Sequence, residues 1–154
     1  MKNRDGLKLR GAFRLRVFRA GALVVERLGR NLIVSAGKAA IAGLANGLHA
    51  DPFAYIALGT GTTAPDAADT TLETEITTNG GERALATLSQ VTTDVTNDTA
   101  QLVKTFAITG NLDVTEAGVF DAVAVGTMLC RHTFAVINLV NGDSLEVTYK
   151  LDVD

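Results

Sequence analysis

Between Ala12 and Phe18 apolar and basic residues alternate, which puts Phe13, Leu15 and Val17 on one side of a strand and Arg14 and Arg16 on the other. Ala20-Gly21 is a tight-turn signal, and the run Leu23 to Val25 beyond it completes a predicted β-hairpin. A short strand, Leu32 to Ser35, follows. The period then changes to that of a helix starting near Ala36, where Ser35 is placed to cap it, Ile41 and Leu44 share a face, and Asn46-Gly47 stops it. Gly43 costs such a helix about 1 kcal/mol relative to alanine, so docking rather than propensity must hold it.

The rest of the chain returns to strand signals. Phe53 to Leu58 is a buried-strand candidate, Glu82 to Val95 and Thr99 to Ile108 read as a long hairpin joined through Thr96-Asn97-Asp98, and further strands cover Val114 to Phe120, Thr127 to Val136 and Ser144 to Val153. About eight or nine strands with one short helix predict a mainly β protein: a single-domain antiparallel β-sandwich, Greek-key or jelly-roll-like, with an incomplete barrel as the structural rival. The domain spans residues 12–154, and residues 1–11 form a basic N-terminal arm.

Charge is unevenly divided. Residues 1–38 hold ten of the fourteen Lys and Arg against two acids, about +8, and the remainder holds four against fifteen, about −11. Lys2, Arg4, Lys8 and Arg10 precede the first strand, and with Arg14 and Arg16 they are the candidate contacts for an acidic partner surface or a neighbouring copy. The arm lacks interleaved aromatics and the body is acidic, which argues against nucleic acid.

The chain has 154 residues and 47% hydrophobic content but no Trp and two Tyr, so one core must form by aliphatic interdigitation. Cys130 is the single cysteine; it permits no internal disulfide, cannot build a cysteine zinc site, and reads as a small buried hydrophobe. No apolar run has the length to span a bilayer and the N-terminus lacks a secretory signal, so no membrane partner is expected and a cytoplasmic assembly environment fits.

No cofactor, metal or catalytic constellation emerges. Gly59-Thr60-Gly61 follows a strand but lacks the Gly-Lys-Ser/Thr ending of a phosphate loop. Its glycines are expected to supply positive φ angles, and Thr60, Thr62 and Thr63 are its candidate contact residues. Asp69 or Thr70 is placed to cap a short turn, with Glu73 in capping-box spacing. Asp66, Asp69, Glu73 and Glu75 lack calcium-loop spacing and read as a solvated acidic loop. His49 and His132 have no partner in the sequence, and neither Ser nor Cys130 sits in a nucleophile elbow. In Glu116 to Asp121, Gly118 marks a bulge, Val119 and Phe120 fill the core, and the acids cap turns; a functional version has this segment pack on the Tyr55 to Pro65 loop.

The order of Asn31 to Val34, Ala36-Gly37-Lys38, Tyr55 to Pro65, Asp69 to Glu75, Glu116 to Asp121, Gly126 to Leu129 and Gly142 to Leu145 resembles small virion structural proteins of tailed bacteriophages, over roughly residues 31 to 150. The resemblance implies a non-enzymatic virion part assembled in the host cytoplasm. Its first expectation is a capsid decoration or cement subunit, a homo-oligomer bridging the major capsid protein; the alternative is a tail fibre, tip or adaptor protein.

Overall fold

The computed structural model describes residues 6–154, so Lys2 and Arg4 lie outside the described residues. Ten strands and one helix follow in the order β1 (Leu9–Arg19), β2 (Ala22–Arg30), β3 (Leu32–Ile33), α1 (Ser35–Asn46), β4 (Tyr55–Gly59), β5 (Ala84–Leu85), β6 (Thr87–Val91), β7 (Thr99–Ala107), β8 (Leu112–Phe120), β9 (Met128–Leu139) and β10 (Ser144–Val153). They form two five-stranded antiparallel sheets, β2-β1-β10-β7-β6 and β3-β9-β8-β4-β5. β7 pairs with β10 in the first sheet, while the β8/β9 hairpin between them pairs in the second. This folded-over ribbon makes a jelly-roll-like β-sandwich, as the alternation predicts.

The alternation works as read. Phe13, Leu15 and Val17 are buried between the sheets with Leu145, Val147 and Tyr149 of the neighbouring β10, facing Ile56, Leu58, Val119 and Ile137 of the second sheet. The β1/β2 hairpin turns through Ala20 and Gly21, both at positive φ (50° and 79°), the twist that a two-residue hairpin demands. β1 begins at Leu9 rather than Ala12, so Arg10 belongs to the sheet and pairs in register with Asp152.

Two expectations fail locally. Glu82 to Val95 is not one strand: the chain breaks at buried Ala86, whose amide donates to the Ala54 carbonyl at 2.8 Å, and passes from β5 in one sheet to β6 in the other. Ser35 does not cap α1. The N-cap position is Val34, without a side-chain hydrogen bond, and the Ser35 amide instead donates to the Ala67 carbonyl at 2.8 Å. The helix does end at Gly47, in the left-handed conformation at φ 78°.

The helix docks on the outer face of the second sheet, where Gly37 allows close approach to β9: a Cβ there would lie 2.8 Å from the Leu129 carbonyl carbon. A second apolar cluster of Val34, Ala57, Leu72, Phe120 and Met128 fills this interface. Sheet two is therefore covered on both faces, and sheet one, among the described residues, on its inner face alone.

Candidate functional site

The glycine-threonine loop after β4 lies over the outer face of the second sheet, held by one buried ion cluster. Glu116 on β8 is fully buried and accepts Arg131 Nε at 2.7 Å, together with the amides of Gly61 (3.0 Å), Thr74 (2.9 Å) and Glu73 (3.2 Å). Arg131 on β9, its side chain 3% exposed, also donates to Asp69 at 3.0 Å and Glu73 at 3.3 Å. One carboxylate thus satisfies three loop amides and one guanidinium, which is how a buried charge becomes tolerable.

The two glycines serve approach rather than turning. Neither Gly59 nor Gly61 has a positive φ; a Cβ on Gly61 would stand 2.6 Å from Glu116 Oε1, and one on Gly59 would stand 2.6 Å from the Thr74 carbonyl oxygen. The acidic loop keeps Asp66 and Glu73 exposed, with Asp69 and Glu75 half-buried, and it is organised by specific contacts. Asp69 is held below the usual carboxylate range, first by the Asp66 amide and further by Arg131; Glu73 is lowered chiefly by the amide and hydroxyl of Thr63. Glu73 does not close a capping box on Thr70, because its oxygens are turned toward Thr63 and Arg131, and Asp69 accepts the Asp66 amide and Arg131. Burial works against the Arg131 charge, but its bonds to Glu116 and Asp69 outweigh this and raise its pKa.

A second arginine clamps the neighbouring loop. Arg83 donates to both oxygens of Glu75 (2.9 and 2.6 Å), lies 3.6 Å over the Phe120 ring, and reaches the carbonyls of Ala122 (3.0 Å) and Val125 (2.8 Å). The clamped tip places Val125 at φ 56°, unusual for a β-branched residue, and leaves Val123 and Val125 mostly in solvent. Val119 and Phe120 are buried as expected, and Asp121 caps the loop by accepting the Thr127 amide at 2.6 Å. The irregular register lies not at Gly118 but between Val114 and Glu116 and between Val119 and Phe120.

The remaining candidate residues are dispersed. Thr60, Thr62 and Thr63 are exposed; the Thr60 amide donates to the Thr74 carbonyl (2.9 Å), and Thr63 bonds Glu73 through amide and hydroxyl (2.8 and 2.9 Å). Lys8 is exposed and joins the β1/β10 ladder by backbone bonds with Asp154. Arg10 pairs with Asp154 at 2.6 Å, Arg14 with Glu26 at 3.1 Å, and Arg16 with Glu146 through Nε at 3.0 Å. Lys8, Arg10, Arg30 and Lys38 nevertheless share the rim of one open cleft of about 590 Å³ at the end of the sandwich where β1 begins. Sequence reasoning missed Arg30 and Lys38, because the approach of α1 to the start of β1 is a tertiary fact.

Cys130 is buried, and burial pushes its thiol pKa up to about 12. His49 lies 3.0 Å from Asp121, while His132 stacks on Phe13 and has its pKa lowered by burial. Among the described residues no three His, Cys, Asp or Glu side chains are grouped to hold a metal, and no helix is long and apolar enough to cross a membrane.

Residues 38–151 match the family model described as Podophage GP4 fiber I protein gp80. The chain belongs to this family. It is accordingly a bacteriophage structural protein, in keeping with the resemblance read along its motifs. The fiber I family description shifts the emphasis from capsid decoration toward the tail, reversing the order of the two expectations. No curated protein and no solved structure matches the chain.

Proposed function

We propose that this chain is a non-enzymatic tail-fibre subunit of a tailed bacteriophage, a stiff β module that joins other virion proteins. The observation that carries this reading is the fibre-family match, which runs from within α1 to within β10 and so includes β4 to β9 and both arginine clamps, while β1 to β3 lie before it. The architecture suits the role: two packed sheets give a rigid body, and clamping the loops over the second sheet keeps that face from shifting when partners bind. Contacts to partners then fall to the surfaces left free, the basic cleft with Lys8 and Arg10 and the face of the first sheet with Arg14 and Arg16. Acidic surfaces of other virion proteins or of sibling copies are the fitting partners.

Copy number and position in the particle test the assignment. Gold-labelled antibody on intact virions should mark the tail, and quantitative mass spectrometry should return a small multiple of three or six copies. Labelling over the whole head with copies on the order of hundreds would return the chain to capsid decoration. Reversing the charges of the exposed Lys8 and Arg10 to Glu should leave a folded domain that joins particles poorly, and attachment of the intact chain should weaken as salt rises.

A further inference from the structure

β2 is a nine-residue edge strand of the first sheet, paired with β1 on one side and, among the described residues, with no strand on the other. Leu23, Val24 and Leu28 on it are 50%, 47% and 70% exposed, an apolar edge of the kind that recruits another strand unless it is blunted. No proline or bulge interrupts its last five residues, Glu26-Arg27-Leu28-Gly29-Arg30, which stay in regular register with β1 from Arg16 to Ala12.

That pentapeptide is complementary to itself when reversed. Laid antiparallel about Leu28, it sets Glu26 opposite Arg30 of a second copy and Arg30 opposite the second Glu26. Leu28 meets Leu28, and Arg27 meets Gly29. Two other registers are worse: centring on Glu26 opposes two carboxylates, and centring on Arg27 opposes two guanidiniums. The charges are available, too. Both contacts from Arg14 go to Oε2 of Glu26, leaving Oε1 open, and Arg30 is exposed and makes no ion pair among the described residues. Glu26, Leu28 and Arg30 are all exposed and share one side of the strand, so a perpendicular two-fold brings like faces together.

We infer that two copies of this chain associate edge to edge through β2, antiparallel and centred on Leu28, to make one continuous ten-stranded sheet. The occupant is a second copy because the same five residues supply both halves of the charge pattern. The inference stands whether or not the protein serves a fibre.

Charge reversal tests it directly. The wild-type chain should show a concentration-dependent dimer in sedimentation equilibrium across the micromolar to millimolar range, weakening with salt. Glu26→Arg and Arg30→Glu should each be monomeric, because each opposes like charges. Mixed together they should form a one-to-one heterodimer, since every facing pair is then opposite in sign. A Leu28→Cys variant should cross-link to itself with a short bis-maleimide, while buried Cys130 stays unmodified. Circular dichroism should find all variants folded, as every altered side chain is exposed. A wild type that stays monomeric up to millimolar concentration, or single reversals that dimerise as well as wild type, would overturn the inference; so would a mixture that gains nothing.

Discussion

Both sheets of the sandwich have an outer face, and they are finished in opposite ways. Outside the second sheet, ionic groups are buried beneath a helix and two clamped loops: Glu116 is inaccessible, and Arg131 and Arg83 expose 3% and 7% of their side chains. Outside the first sheet, Arg14 with Glu26 and Arg16 with Glu146 sit in solvent or half in it. The chemistry is the same, arginine against carboxylate, yet its consequences differ. A buried pair cannot lose one member without stranding the other, whereas an exposed pair exchanges its partner for water at little cost. The first face is therefore free to vary and to meet partners, and the second fixes the architecture.

Four measurements put numbers on that contrast. Arg131→Met strands the buried Glu116 carboxylate and should destabilise the domain by about 3–5 kcal/mol in urea titration. Gly61→Ala forces a methyl onto Glu116 Oε1 and should cost about 1–3 kcal/mol, with faster proteolysis of residues 60–75 as its local sign.

Acid should separate the two faces next. Asp69 and Glu73 lie below their ordinary values of 3.8 and 4.5, so the stability they lend is full above those values and is lost as pH falls through the lowered ones. Protection of the Gly61 to Thr74 amides against hydrogen exchange, taken relative to the intrinsic rate at each pH, should therefore fall below about pH 4, before the β1/β10 ladder opens. Arg14→Ala, on the open face, should change stability by about 0.2–1 kcal/mol, less in high salt. A loss for Arg14→Ala equal to that for Arg131→Met would erase the distinction.

Much of the fold was legible because sheet one obeys a period of two: Phe13 to Val17 and the Ser144 to Val153 strand follow directly from alternation. The long Glu82 to Val95 strand was not separable, since β propensity is the same on both sides of Ala86 and only the Ala54 carbonyl marks where the chain changes sheets. The candidate site was half visible. Glycine and threonine announced a loop and acids followed, but the cation that gathers them lies on β9, 62 residues after Asp69. Glu116 within the apolar β8 run was the signal, because a carboxylate inside a strand buried on both faces demands a partner.

The pairing of Leu9 with Val153 also has a mechanical reading. Because the first and last strands are antiparallel neighbours, anything attached before one or after the other emerges at the same corner. Tension applied through those two attachments would peel this ladder rung by rung instead of shearing it all at once. A part mounted that way hangs as a side lobe, shielded from axial load, rather than serving as a link in the line of pull.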